Sequence, residues 1–196
     1  MNKLPSEIVA RMEAWLDDAR ACEVILEPTA MVLATVQPDG TPAARTVLLK
    51  GLDVEGLVFY TNYESAKARD LAHCQAAALC FHWDPLRRQI RVQGTVSRVE
   101  DAVSDAYFAS RPRGSQIGAW ASAQSSVLED PQILVDRVAQ YEERFAGGPV
   151  PRPEFWGGYR LVPERIEFWA SRRDRLHVRE VHAWSEGQWR ASALYP

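Results

Sequence analysis

Between Glu167 and Arg179 the chain reads Glu-Phe-Trp-Ala-Ser-Arg-Arg-Asp-Arg-Leu-His-Val-Arg. Arg175, His177 and Arg179 are spaced two apart, so on a strand they share one face while Leu176 and Val178 take the other. Cations held side by side repel, and a fold that aligns them needs an anion or an anionic ligand to meet them. Trp169 precedes them as a flat apolar surface. The same alternation also describes a solvent-facing strand, so the segment acquires chemical meaning only if matching pieces lie elsewhere.

Three such pieces can be read. After the strand-like end Tyr60-Thr61, Ser65 stands where a helix could begin and Lys67 follows, which would bring free amides, a hydroxyl and a cation together as a phosphate cradle. A plain capped helix with exposed charges has the same pattern. Arg111-Pro-Arg-Gly-Ser-Gln-Ile-Gly-Ala-Trp120 reads as a donor-rich loop containing Ser115, and the polar run Ser122-Ala-Gln-Ser-Ser126 prolongs it with Gln124 and Ser125. Tyr107 and Arg111, four apart at a helix end, can share a face, although arginine-rich loops are often merely solvated. Arg45 and Lys50 are five apart, so a regular strand turns them to opposite sides. They could serve one site only through a bulge, a strand end or a second subunit.

The elements that must position these residues follow from periodicity. Ile8, Met12, Trp15, Leu16 and Ala19 predict an amphipathic helix over 6–20 with Ser6 as its cap. Strands are predicted over 30–36, 42–50 and 57–61, the first two joined by a turn at Gln-Pro-Asp-Gly40 and the last two by Asp53 to Gly56. After a short helix near Ser65, strands follow over 76–83 and 87–98, the latter holding Gln89 and Gln93. Helices are predicted over 101–110 and 128–145, the second with Ile133, Leu134, Val138, Tyr141 and Phe145 as its apolar stripe. Residues 147–153 form a rigid connector, and strands close the chain over 158–162, 165–169, 175–184 and 188–194, with a turn at 185–187. Many short strands with few helices between them indicate a β-barrel or sandwich, mainly β with flanking helices, rather than alternating βαβ units.

With 196 residues, 46% hydrophobic and 25% charged, one domain is expected over 1–196, its first 25 residues forming a helical segment that packs on the body. A net charge of −3 argues against a general nucleic-acid binder, while a local basic pocket remains compatible with it. Cys22, Cys74 and Cys80 are odd in number and form no Cys-x-x-Cys pair, which suits thiols in a reducing compartment. The spacings of His73, Cys74, Cys80 and His82 match no structural zinc pattern, so no metal is expected. No apolar signal region and no membrane-length run is present, so the expectation is a cytoplasmic protein without a membrane partner.

Taken in order, Arg45-Thr-Val-Leu-Leu-Lys50, Phe59-Tyr-Thr-Asn62, Ser65-x-Lys67, Tyr107-Phe-x-Ser-Arg-Pro-Arg113, Ser115-Gln-Ile-Gly-Ala-Trp120, Gln124-Ser125, Phe155-Trp-Gly-Gly158, Glu167-Phe-Trp169 and Arg175-Leu-His-x-Arg179 span nearly the whole chain. In this combination the sequence resembles the pyridoxine (pyridoxamine) 5′-phosphate oxidase family. The resemblance implies an FMN-binding split β-barrel that pairs as a homodimer with FMN in the cleft between subunits. It implies FMN contacts from Arg45, Tyr60, Thr61, Lys67, Gln89, Gln124, Ser125, Trp169 and Arg179, and substrate contacts from Lys50, Tyr107, Arg111, Ser115, Arg175 and His177. Arg175 and His177 would be the catalytic pair. The implied reaction oxidises pyridoxamine or pyridoxine 5′-phosphate to pyridoxal 5′-phosphate with O2 as acceptor, releasing H2O2, and ammonia from the amine.

Departures accompany the matches. Ala66 stands where many members carry an arginine, which removes a candidate cation for the FMN phosphate, and Val178 replaces an acidic residue or asparagine. Alternation would point Val178 away from Arg175 and His177. The ending Ala193-Leu-Tyr-Pro196 differs from the commoner Arg-Leu-x-Pro. Two other readings are a flavin oxidase of another substrate, of the phenazine-pathway type, and a non-catalytic binder of flavin or pyridoxal phosphate. The retained phosphate-gripping set disfavours the first, and the Arg175 and His177 pair disfavours the second.

Overall fold

The computed structural model of the protein describes residues 2–196. Nine antiparallel strands form one sheet: β1 (Ala30–Val36), β2 (Pro42–Leu48), β3 (Gly51–Asp53), β4 (Gly56–Asn62), β5 (Ala76–Trp83), β6 (Arg88–Arg98), β7 (Trp156–Ala170), β8 (Val178–Ser185) and β9 (Gln188–Ala193). The order is β2-β1-β5-β6-β7-β4-β3, and β8 also pairs with β7 and carries β9 outside it. Strand β7 joins the two parts, because its first half pairs with β4 and its second half with β8, while β6 runs along its other edge. The register of β6 against β7 shifts between Gln93 and Gly94, opposite Pro163. This bulge bends the pair and helps curl the sheet into a half-barrel.

Leu33, Phe59, Leu79, Phe81, Ile90, Val92, Leu161, Ile166 and Phe168 fill the concave side. Helix α1 (Ser6–Ala21) covers it with Ile8, Met12, Leu16 and Ala19, all buried. Fully burying a side chain such as Met12 or Leu16 is worth about 1.5–3 kcal/mol, enough to tie the N-terminal helix to the barrel. Ser6 is not its cap, contrary to the prediction. Pro5 takes the cap position, and its carbonyl accepts from Ile8 N and Val9 N. Helix α2 (Ala66–His73) adds Ala68 and Leu71 to the same core.

A second core sits outside the barrel, where Phe108 of α3 (Asp101–Ser110), Ile117 of α4 (Arg113–Ala121), Val150 and Trp156 meet. The stretch read as a loop from Arg111 is therefore largely helix. Pro112 lacks only a donor that a helix start leaves unused, and its carbonyl accepts from Ser115 N and Gln116 N. Gln116 is buried and donates to the Phe108 carbonyl at the end of α3, so tertiary burial settles the conformation.

Three other predictions are corrected. Helix α5 (Pro131–Arg144) starts three residues later than expected, with Asp130 accepting from Gln132 N as its cap. Only the Val138, Tyr141 and Phe145 end of its stripe packs, leaving Ile133 and Leu134 exposed. The predicted strands 158–162 and 165–169 are one strand, because the bulge accommodates Pro163. The strand expected from Arg175 begins only at Val178, since Asp174 and Arg175 have φ of 56° and 60° and form a tight turn. The three cations therefore do not share a strand face, and alternation no longer places Val178 relative to Arg175 and His177.

Candidate active site

A cavity of about 520 Å³ opens where β2, β4, α2 and α3 converge, lined by Lys50, Tyr60, Thr61, Lys67, Tyr107, Arg111, Ser115 and Gln124 among others. All eight were predicted site residues. The strand end supplies Lys50: β2 stops at Leu48, and Lys50 N donates to Val58 O as the chain turns into β3.

Lys67 is buried on the first turn of α2, and its Nζ donates to Gln124 Oε1 at 2.9 Å, Thr61 Oγ1 at 3.1 Å and Ser65 Oγ at 3.2 Å. Thr61 Oγ1 also donates to Gln124 Oε1. No carboxylate forms an ion pair with this ammonium among the described residues. Burial first, and Arg45 second, push its pKa down. Ser65 directs its own hydroxyl to Asn62 O rather than capping the helix.

Arg111 is the second unbalanced cation. Its Nη1 is buried without a hydrogen-bond partner among the described residues, and burial lowers its pKa. Tyr107 lies stacked on Tyr60, centroids 3.9 Å apart, with Trp156 parallel to both. Burial raises the pKa of both phenols, which remain neutral donors. The pocket thus offers three cations, two phenols and four aliphatic hydroxyls, from Thr46, Thr61, Ser110 and Ser115, with no acidic side chain among its lining residues, a donor set suited to phosphate.

The remaining predicted residues lie elsewhere. Arg45 turns toward Thr35 Oγ1, at 2.5 Å, and buried Asp70, at 3.2 Å, so its charge is already met beneath the cavity. Ser125 holds a φ of 72° in an exposed turn outside the lining. Gln89, Trp169 and Arg179 form one cross-strand row on β6, β7 and β8, and the His177 ring packs against Trp169 at 4.7 Å. Arg179 meets Glu167 Oε1 at 2.7 Å, so the anion that its charge requires is internal. His177 Nδ1 accepts from Arg172 N at 3.3 Å, and Arg175 is exposed beside it.

The row Thr46, Val32, Cys80, Arg91, Glu167, Val181 crosses six strands in register. Five strand spacings, about 24 Å along the sheet, therefore separate the cavity wall at Thr46 from the group around Trp169 and Arg179. The cavity and the Trp169–Arg179 group thus sit toward opposite ends of that row.

A family model described as pyridoxamine 5′-phosphate oxidase matches residues 18–145, and one described as the pyridoxine 5′-phosphate oxidase C-terminal dimerisation region matches residues 156–196. The chain belongs to the pyridoxamine 5′-phosphate oxidase family. A relative named pyridoxine/pyridoxamine 5′-phosphate oxidase from Myxococcus xanthus (strain DK1622) is 51% identical over 98% of this chain and 93% of its own. One of the same name from Rubrobacter xylanophilus is 54% identical over 93% of this chain and 83% of its own. PhzG from Burkholderia lata 383, solved with tetrahydrophenazine-1-carboxylic acid, has a TM-score of 0.91 at 31% identity, covering 98% of this chain and 94% of its own. A pyridoxamine 5′-phosphate oxidase-related, FMN-binding protein from Nostoc punctiforme shares the fold with a TM-score of 0.76 at 19% identity, covering 95% and 96%. The half-barrel is thus the family's split barrel, and the segment from Trp169 to Arg179 falls within the dimerisation region.

Two residues of this architecture carried no role in the sequence reading. Trp156 lines the cavity, and Glu167 pairs Arg91 with Arg179. Both lie inside quoted motifs, but neither periodicity nor residue type separates a cavity wall from a core tryptophan, or a buried bridge from a surface glutamate.

Proposed function

We propose that the protein is an FMN-dependent oxidase of pyridoxamine 5′-phosphate and pyridoxine 5′-phosphate, acting as a homodimer in which each site joins the cavity of one protomer to the Trp169–Arg179 face of its partner. The observation that carries this reading is the cavity itself: Lys50, Lys67 and Arg111 converge there without an acidic lining residue, and Arg111 Nη1 is buried and unpartnered. FMN fits this donor set, because the Lys67 ammonium, held only by neutral oxygens from Thr61, Ser65 and Gln124, can accept a phosphate as its counterion.

FMN when bound supplies a two-electron acceptor that O2 can reoxidise to give H2O2. Tyr60, Thr61, Lys67 and Gln124 would hold it from one protomer, and Gln89, Trp169 and Arg179 from the partner. Arg45, bound to Asp70, and Ser125, outside the cavity, are proposed to act at the edge of that site rather than in its wall. Lys50, Tyr107, Arg111 and Ser115 would grip the substrate phosphate, so that binding energy remote from the reacting carbon fixes the ring. Arg175 and His177 would cover its other side. With Nδ1 accepting from Arg172 N, Nε2 would be the ring nitrogen of His177 that meets the substrate's amine or alcohol.

The PhzG match makes a phenazine-type substrate the second reading, and the three cavity cations favour a phosphorylated one. Three unpaired cysteines support a cytoplasmic setting, and no helix among the described residues is long and apolar enough to cross a membrane. The whole chain is proposed to act as one FMN-binding unit.

The purified protein should be yellow and, given pyridoxamine 5′-phosphate in air, should form pyridoxal 5′-phosphate and peroxide in equal amounts. A flavin-loaded sample that forms neither overturns the proposal.

A further inference from the structure

We infer that Trp156 is a positioning residue that sets the cavity's affinity for phosphate by fixing the guanidinium of Arg111 and the phenol of Tyr107. The inference deepens the proposed function and rests on its assignment of this cavity to a phosphorylated ligand.

Arg111 enters no ion pair among the described residues, and its Nη1 has no hydrogen-bond partner. What holds this long side chain is aromatic: its Cζ lies 4.6 Å from the Trp156 ring centre and 5.6 Å from that of Phe108. A cation over an indole face is attracted by the ring quadrupole without using any of its N–H donors, which stay free for an anion. The same indole lies parallel to Tyr60 at 5.5 Å and to Tyr107 at 6.2 Å, while Tyr60 and Tyr107 stack at 3.9 Å. One ring thus orients two of the proposed phosphate donors.

Trp156 is itself fixed. It is 7% exposed, starts β7 opposite Asn62, meets Phe108 edge-on at 5.1 Å, and its carbonyl accepts from Arg152 Nη1 at 2.7 Å. Two residues on, Gly158 leaves room for the stack, since a Cβ there would lie 2.8 Å from Tyr60 Cε1. A tryptophan that only filled the second core would affect phosphorylated and unphosphorylated ligands alike.

The test uses flavin-loaded protein and three probes: inorganic phosphate, pyridoxal 5′-phosphate and pyridoxal. Trp156→Leu should weaken binding of the two phosphate-bearing probes about tenfold and leave pyridoxal within about twofold. Trp156→Phe, keeping a smaller aromatic face, should lie between wild type and leucine. With pyridoxamine 5′-phosphate as substrate, the change should fall on KM more than on kcat. In an Arg111→Ala background the Trp156→Phe change should have a smaller effect on pyridoxal 5′-phosphate binding than in wild type, with only the Tyr107 contribution left, a non-additivity that carries the test should leucine prevent folding. Phosphate binding unchanged by Trp156→Leu, an equal loss for pyridoxal, or full additivity with Arg111→Ala would overturn the inference. The functional reading fails separately, if wild-type protein binds pyridoxal 5′-phosphate yet does not oxidise pyridoxamine 5′-phosphate.

Discussion

Glu167 is buried between two arginines, receiving Arg179 Nε at 2.7 Å and Arg91 Nη1 at 3.3 Å. The hydrogen bond from Arg179 is the chief reason that its pKa lies below the ordinary glutamate value of 4.5. A depressed carboxylate pKa contributes stability that is fully present above the unfolded value and is lost as pH falls through the folded one. Glu167→Gln should therefore lower stability at pH 7 by about 1–3 kcal/mol. Urea unfolding of both proteins should show that gap closing below pH 4.5. Lys67 has the opposite sign: burial disfavours its charge, so the folded state holds it at a disadvantage that a bound anion relieves. Lys67→Met should weaken FMN binding about 10- to 100-fold, read by fluorescence titration of the apoprotein with FMN. The urea midpoint of the apoprotein should not fall, because an unpaired buried charge has been removed.

At the scale of elements, the β6–β7 pair bends at its register shift. Gly94 sits at the register shift, and a Cβ built there would lie 2.0 Å from Val162 O, a backbone atom that cannot swing away. Gly94→Ala should destabilise the fold by about 1–3 kcal/mol or more, measured by thermal and urea unfolding. Strands β1 and β5 match their predicted ranges residue for residue, and α3 does so among the helices. Helix α4 was missed because Pro112, Gly114 and Gly118 are local breakers, while the burial of Gln116 and Ile117 that outweighs them depends on α3. The turn at Asp174 and Arg175 was missed for a related reason. Aspartate is enriched at positive φ but arginine is not, and a single aspartate among arginines is too weak a local signal to separate this turn from a continued strand.

At the scale of the molecule, the cavity and the Trp169–Arg179 group stand five strands apart along the sheet, and the latter lies in the dimerisation region, which is why the proposed site draws on two protomers. Mixed dimers test this directly. An Arg111→Ala chain and a His177→Ala chain should each be nearly inactive alone. After unfolding and refolding together, random pairing makes half the dimers mixed, and one of the two sites in each is intact, so about a quarter of wild-type activity should return. A site built within one chain would recover none. The motifs, in their order, were enough by themselves to determine the family, the barrel class and eight residues that line the cavity, because residue type and spacing survive in a linear string. Only the tertiary structure decided that Arg45 spends its charge on Asp70, that Arg179 is met by Glu167, and that Trp156 stands behind Arg111. Those are pairings between residues 12 to 45 positions apart, brought together by strand register and by burial, and neither is encoded in the local pattern around either partner.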